Sequence, residues 1–284
     1  LCTRYCTLGA VAMSDRLNSR SRRSFTISMC SRPRKPQRNP NPRAPDDSGE
    51  WPSLPAPDRD AELVQSASRG PSRRIALDAA VAQGKRRTYV QIPTAAGRGG
   101  EKRLGYWREL GAEQGRRIGV ETHFLPIYDR AAADDPALAR MVHDAGLVYL
   151  SGGDPNYLAQ TLRESAVGRA IEAHWRSGGA LAGCSAGAMV MGALVPRFRL
   201  SPGSTATKGL SLVPPLRVIP HFNRLFSFAF SGFAAGEVAF GIEDLTALVR
   251  WSASTAWRVE GRGAVHVLSG LPRATLRAGE EFRF

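Results

Sequence analysis

Residues 180–192 read ALAGCSAGAMVMG, and the fold turns on how this run is read. "ALAGC" (Ala180 to Cys184) is a short apolar strand, and "SAGAMVMGAL" (Ser185 to Leu194) reads as a helix. Between them "GCSAG" (Gly183 to Gly187) is G-x-S-x-G, the pattern of a sharp strand-to-helix turn that lifts its central side chain clear of a sheet edge. Glycine is needed on either side, because a Cβ there would meet neighbouring backbone. The central residue is Ser185. Strand alternation turns its neighbour Cys184 inward as a small apolar filler. At a helix start, backbone N–H groups and the helix dipole face a developing negative charge, and the Ala186 N–H is a natural oxyanion donor. The plainer alternative is a tight structural turn with no chemistry.

Strand and helix text alternates on both sides of this turn. "RRIALDAAVAQG" (Arg73 to Gly84) is an amphipathic helix, and "TYVQIPTAAG" (Thr88 to Gly97) opens as a strand that breaks at Pro93. "GEKRLGYWRELGAEQGRRIG" places Leu104, Trp107 and Leu110 on one helical face. "VETHFLPI" (Val120 to Ile127) is a strand, and "DDPALARMVHDAG" is a helix that starts at Asp before Pro and stops at Gly. "LVYLSGG" (Leu147 to Gly153) is a buried strand running into a glycine turn. "NYLAQTLRES" and "AVGRAIEAHWRSGG" are helices. The alternation predicts an α/β fold, a mostly parallel sheet sandwiched by helices, with its site at the carboxyl ends of the strands. Three glycine-bearing turns meet there: "TAAGRGG", "SGGDP" and "GCSAG".

The chain of 284 residues carries a formal charge of +14, which by itself suggests a polyanion partner. The basic residues are nearly all arginine, and many lie in the first part of the chain, from Arg16 to Arg43. That pattern reads as a solvated basic tail. No zinc-finger spacing and no aromatic RNA-binding signature accompanies it, so no specific nucleic acid is expected as a partner. Residues 1–70 are rich in proline and polar residues and aperiodic. They are expected to form a disordered tail or a non-native extension, ahead of one α/β domain over 71–284. No apolar run approaches the length of a membrane span. Cys2, Cys6 and Cys30 lie in the tail, Cys184 in the turn, and no CxxC pair or Cys/His cluster occurs. This implies no metal, no disulfide framework and a reducing, cytoplasmic setting.

A serine nucleophile needs a base, and the chain offers five histidines. His123 and His174 fall in strand and helix text and read as structural. His143 lies near a helix end and reads as solvated, and His266 in "GAVHVLSG" reads as a surface strand residue. His221, in "RVIPHFNR", follows a short apolar strand and Pro220, where a base belongs. The acid should follow another strand, and "VAFGIEDLTALV" (Val238 to Val249) ends one at Glu243 and Asp244. A glycine N–H from Gly152 or Gly153 is the second oxyanion donor, with Asp154 beside them.

Five blocks in order, "LVYLSGGDPNYLAQTLRES", "ALAGCSAGAMVMGA", "VIPHFNR", "FGIEDLTALV" and "GRGAVHVL", resemble the serine peptidase family of dipeptidase E (alpha-aspartyl dipeptidase) and cyanophycinase. The resemblance covers about Gly70 to Leu268. It implies a class I glutamine amidotransferase-like fold, a flavodoxin-like three-layer arrangement. It also implies hydrolysis of small peptides through an acyl-enzyme, with Ser185 as nucleophile, His221 as base and no cofactor. The family's acid is Glu in G-I-D-E-x-T-A. Here "GIEDLTA" puts Asp244 on that position and Glu243 where Asp is usual, so Asp244 is the expected acid and Glu243 the alternate. The glycine pair after "LVYL" falls on the family's oxyanion turn. Members open with an apolar strand ending in a Gly-Gly-Gly-Glu-like turn, and nothing comparable precedes "RRIALDAAVAQG".

Three other readings remain at this point. An α/β-hydrolase-type esterase shares the elbow but runs Ser, acid, His, which recruits Ser185, Asp244 and His266. A catalytically inactive protein keeps the fold without the chemistry. A nucleic-acid binder acts through its tail. Arg197, Arg199 and Lys208 follow the nucleophile helix, either facing a substrate carboxylate or lying as solvated loop charges. The expected partner is a small peptide substrate, with no membrane, and a homodimer stays open as the assembly.

Overall fold

The computed structural model describes residues 14–15, 22–23, 26–28, 72–196, 207–213, 216–222, 237–250 and 256–283. In chain order the first elements are β1 (Ser14–Asp15), β2 (Arg22–Arg23), β3 (Thr26–Ser28), α1 (Ser72–Ala82), β4 (Thr88–Ile92), α2 (Gly100–Ile118) and β5 (Glu121–Phe124). There follow α3 (Arg130–Ala133), α4 (Pro136–Asp144), β6 (Leu147–Leu150), α5 (Pro155–Leu162), α6 (Ala166–Arg176), β7 (Ala180–Cys184) and α7 (Ala186–Val190). The last are β8 (Leu216–Ile219), β9 (Val238–Ile242), β10 (Thr246–Val249), β11 (Trp257–Gly261), β12 (Ala264–Ser269), β13 (Thr275–Arg277) and β14 (Glu281–Phe282). A short 3-10 helix, Thr94–Gly99, follows β4.

The main sheet has eight strands in the order β14-β11-β10-β3-β7-β6-β4-β5. From β3 to β5 all pairings are parallel, and β10, β11 and β14 join antiparallel. β4, β6 and β7 are apolar almost throughout because both faces are covered. Alternation along them divides the core in two. Val90, Ile92, Val148, Leu150 and Leu181 face α4, α5 and α6, through Val142, Leu158, Ile171 and Trp175. Tyr89, Leu147, Tyr149, Ala180, Ala182 and Cys184 face α1 and α2, through Leu77, Leu104 and Trp107. The three-layer α/β fold expected from the sequence is therefore present, and Cys184 is buried as its alternation requires.

The helix starts follow the capping chemistry in the text. Asp135 accepts from the Ala137 amide at 2.7 Å ahead of Pro136, and Ser165 accepts from the Gly168 amide at 2.9 Å. Two elements are shorter than the sequence suggests. The strand read over Val120 to Ile127 spans Glu121–Phe124, because Pro126 has no N–H to give a ladder. The helix read over Ser185 to Leu194 spans Ala186–Val190. Its last carbonyls are taken by a returning segment: Leu210 N–H donates to Val190, Leu212 N–H to Met191 and Gly209 N–H to Ala193.

Two features set how the site is framed. A second sheet, ordered β13-β12-β9-β8, packs β8 and β9 in parallel, so that both end in the same direction. The sheet position beside β7 is filled from the segment read as tail. There β3 pairs in parallel with β7, Ile27 opposite Gly183, and antiparallel with β10, Ile27 opposite Leu248. Against the expectation of a structureless stretch over 1–70, the residues described there are strand, and the rest of that stretch lies outside the described residues. A gap between β7 and β10 would leave two rows of backbone donors and acceptors to be paired some other way. Cys2, Cys6 and Cys30 also lie outside the described residues.

Replacing Ile27 with Pro removes one backbone donor from the middle of the sheet. The substitution should lower stability by about 1–3 kcal/mol, the cost of the carbonyl left unpaired, read as a shift in urea midpoint. An unchanged midpoint would show that β3 contributes nothing to the sheet.

A second expectation concerns acid. His174 is fully buried and its Nε2 sits 2.8 Å from the Ala180 carbonyl. Burial pushes the imidazole down from 6.5 to about 4. Between those values the unfolded chain takes up a proton that the folded chain refuses. Stability should therefore be fullest above the higher value and fall by roughly 3 kcal/mol as pH drops through the lower one. Urea midpoints measured across this range should flatten in His174→Gln; an equally steep fall in the variant would remove His174 as the cause.

Candidate active site

Ser185 stands between β7 and α7 with φ 49° and ψ −114°, a backbone region that non-glycine residues avoid. Close packing on both sides keeps it there. A Cβ on Gly183 would lie 2.6 Å from the carbonyl carbon of Gly187, and one on Gly187 would strike the carbonyl oxygen of Leu150. The start of α7 is thus pressed against the ends of β6 and β7, and the Ser185 side chain is pushed outward. Only the glycines of the G-x-S-x-G pattern permit this approach. The helix is a single short element, so its aligned dipoles sum to little; the groups that matter are the amides themselves.

Next to Ser185 lies the turn that ends β6. A Cβ on Gly152 would stand 3.1 Å from the Ser185 Cβ and 3.1 Å from Cζ2 of Trp107. The Gly152 backbone therefore runs directly beside the serine, and Ala186 follows the serine as the first residue of α7. Asp154 has a different task. Its carboxylate accepts from the amides of Asn156 at 2.9 Å and Tyr157 at 3.0 Å, which caps α5. By capping that helix it fixes the glycine turn from behind.

His221 follows β8 and also adopts a left-handed conformation, φ 51°. Its Nε2 lies 3.2 Å from Ser185 Oγ, and its Nδ1 lies 2.8 Å from Asp244 Oδ1. A carboxylate can only accept, so Nδ1 carries the proton and Nε2 offers its lone pair to the serine hydroxyl. About a third of each of these two side chains is exposed, 36% for His221 and 35% for Asp244. The turn holding Asp244 is pinned by Thr246, whose hydroxyl donates to the Asp244 carbonyl at 3.1 Å, and by Leu245 at φ 59°. The serine comes from the main sheet. The histidine and the aspartate come from the parallel ends of β8 and β9 in the second sheet.

Glu243, the alternate acid in the sequence, is engaged elsewhere. Its Oε1 is 2.7 Å from His266 Nε2, and its Oε2 accepts from the Ala264 amide at 3.0 Å. His266 is correspondingly no surface residue: it is 6% exposed, with Nδ1 3.1 Å from Thr275 Oγ1. Both its nitrogens are used, by Glu243 and Thr275, which leaves the Ser, acid, His order of an esterase without its base. Among the other histidines, His123 lies 3.4 Å from Glu121, and His143 is exposed, 3.0 Å from Asp144. Lys208 is exposed and bridges backbone to backbone with Leu194, while Arg197 and Arg199 lie outside the described residues. Trp107 was legible only as a core residue; its position against Gly152 depends on the close approach of α2 to the turn, which no local pattern encodes. Among the described residues, no three His, Cys, Asp or Glu side chains gather as a metal site, and no helix is long and apolar enough to cross a membrane.

The model of peptidase family S51 matches residues 72–244. The chain is similar to a peptidase from an acI-B1 actinobacterium of known crystal structure, with 42% identity, a TM-score of 0.68, and coverage of 75% of this chain and 90% of that one. A protein from Listeria monocytogenes EGD-e, assigned to the peptidase E type and solved at 1.5 Å, shares 18% identity at a TM-score of 0.45, covering 62% of this chain and 87% of that one. No curated protein matches the chain.

Gly183→Ala tests the packing that holds the turn. The new methyl must push Gly187 away, so stability should drop by about 1–3 kcal/mol and the Ser185 hydroxyl should leave its position beside His221. Denaturant unfolding reads the first effect and loss of labelling by a fluorophosphonate probe reads the second. Wild-type labelling in a fully folded variant would show that the close approach is dispensable.

Proposed function

The chain belongs to peptidase family S51 and is a serine-type peptidase; on that premise we propose that it hydrolyses small peptides through an acyl-enzyme formed on Ser185. The observation that carries the reading is the hydrogen-bonded series Ser185 Oγ, His221, Asp244, at 3.2 and 2.8 Å, beginning at a strained strand-to-helix turn.

In this mechanism His221 Nε2 takes the hydroxyl proton as Ser185 Oγ bonds to the carbonyl carbon of the substrate. The carbonyl electron pair moves to oxygen, and the oxyanion is held by the N–H groups of Ala186 and of Gly152 or Gly153. On collapse the C–N bond breaks, and His221 gives its proton to the leaving amine. Water then repeats the sequence on the ester: His221 accepts its proton, and the acid leaves as Ser185 recovers its hydrogen. Asp244 keeps the Nδ1 proton in place and stabilises the imidazolium. The carboxylate of Glu243, bound to His266 and the Ala264 amide, supports the choice of Asp244 as the acid. The reading involves no metal or organic cofactor, a small peptide as the partner and a reducing, cytoplasmic setting.

A panel of dipeptides run on wild type and Ser185→Ala, together with fluorophosphonate labelling of both, tests the proposal. Wild type should cleave at least one dipeptide and take up the probe, and Ser185→Ala should do neither. His221→Ala should cut labelling by about 10³-fold or more, and His266→Ala should leave His221-dependent labelling in place, though slower. Folded wild-type protein that neither labels nor cleaves any dipeptide would mark the inactive alternative. Labelling lost with His266 but retained without His221 would move the protein to the esterase order.

A further inference from the structure

Beyond the three residues of the site, one cluster around the buried His266 touches both turns that carry it. Gly241 on β9 and Glu243, the first residue beyond its end, share a face, since they are two residues apart. On β12, His266 is the Cα partner of Gly241, so its ring lies diagonal to Glu243. Two contacts follow. His266 Nε2 meets Glu243 Oε1 at 2.7 Å. The His266 ring also stacks on Phe222, with centroids 4.8 Å apart and planes tilted by 39°. Phe222 can lie there because Gly241 has no side chain; a Cβ would run into the ring. Its amide donates to the Ile242 carbonyl at 3.0 Å.

The sequence positions make this cluster significant. Glu243 immediately precedes Asp244, and Phe222 immediately follows His221. One imidazole therefore grips the residue next to the acid through a hydrogen bond and the residue next to the base through its face. Glu243 is tied a second time, since its carboxylate accepts the Ala264 amide at 3.0 Å and its own amide donates to the Ala264 carbonyl at 3.0 Å. Thr275 closes the series at His266 Nδ1, 3.1 Å away. Because Glu243 only accepts, Nε2 bears the proton and Nδ1 takes the threonine hydroxyl.

We infer that His266 is a positioning residue: with Glu243 and Phe222 it locks the turns bearing Asp244 and His221 in register with each other and with Ser185. This rests on the Ser185, His221, Asp244 reading given above. His266 touches none of the reacting atoms and acts only through those two turns. Its burial at 6% is what a clamp requires and a surface strand residue does not. The two turns belong to one small sheet, and both have left-handed backbone at His221 and Leu245, φ 51° and 59°. Such conformations persist only when surrounding contacts over-determine them.

The test follows saturation kinetics of a fluorophosphonate probe, which separate its binding constant KI from the maximal rate of attack by Ser185. His266→Ala and Glu243→Ala should each lower the maximal rate by about ten- to a hundredfold with KI unchanged, because a small misplacement of base and acid slows attack without altering the pocket. In a His221→Ala background, His266→Ala should cause no further loss, since both turns act on the attack only through that imidazole. Glu243→Gln should restore most of the rate: the amide oxygen takes the Ala264 N–H, and the amide NH₂ donates to His266 in its other tautomer. A His266→Ala protein that labels at the wild-type maximal rate overturns the proposal. So does an equal loss in both backgrounds, which is the sign of a general structural role. Should His266→Ala fail to fold, the Glu243→Ala and Glu243→Gln pair decides, and equal damage from both counts against the clamp. If Asp244→Asn alone labels like wild type, the triad reading has failed and takes the clamp with it, an outcome distinct from all the others.

Discussion

The whole arrangement depends on one close approach, the backbone of Gly187 against the carbonyl of Leu150 and against Gly183. This contact brings the start of α7 to the ends of β6 and β7 at a distance no side chain allows. It forces Ser185 into φ 49° and ψ −114°, and it leaves the Gly152 backbone close beside that residue. The strain at Ser185 is of the order of 1–3 kcal/mol, and the buried strands β6 and β7 beneath it supply the rigidity that maintains it. Move the helix away by the width of a methyl group and the serine loses its place beside the glycine turn.

A nucleophile placed so firmly needs a base brought to it from elsewhere. Here the base and the acid come from a second sheet, whose parallel β8 and β9 deliver His221 and Asp244 at neighbouring strand ends. The chain then crosses from β9 into β10 within three residues, Glu243 to Leu245. That crossing joins the second sheet to the main one at the point where the carboxylate must stand. β3 lies between β10 and β7, with Ser28 opposite Cys184 and Ala247 opposite Ser28. The strand bearing the serine and the strand following the acid are thus held apart by one intervening strand drawn from the first thirty residues.

Much of this was legible in the text. Apolar runs with flanking glycines gave the parallel strands, and an Asp-Pro pair marked the start of α4. The elbow pattern pointed to Ser185 over Cys184, strand ends pointed to His221 and to the pair Glu243 and Asp244, and only the family resemblance put Asp244 ahead. What escaped depends on contacts between distant segments. Nothing local in "RSFTISMC" sets Thr26–Ser28 apart from the polar text around it; its place is decided by the vacancy between β7 and β10. His266 looked like a surface residue because it alternates within a short strand near the chain end. Its burial comes from Phe222, Glu243 and Thr275, each supplied by a different element. The early end of α7 likewise reflects residues 209–213 returning to claim its carbonyls.

The adjacency of Glu243 and Asp244 is best understood through the alternation of an extended strand. Neighbouring side chains leave such a strand on opposite sides, so two consecutive carboxylates cannot both address the same imidazole without turning the backbone over. The structure divides them accordingly. Glu243, just beyond the end of β9, stays on the side that looks across to His266 and Ala264, where both its oxygens are hydrogen-bonded. Asp244 projects from the other side, where the turn begins and His221 Nδ1 lies 2.8 Å away. Length then settles which carboxylate suits which place. The longer glutamate spans the diagonal between strands, whereas the shorter aspartate suffices for a histidine carried close by the parallel β8. A pair of acids that looked interchangeable in sequence is therefore two different devices, separated by a single peptide unit and by the side of the strand on which each one falls.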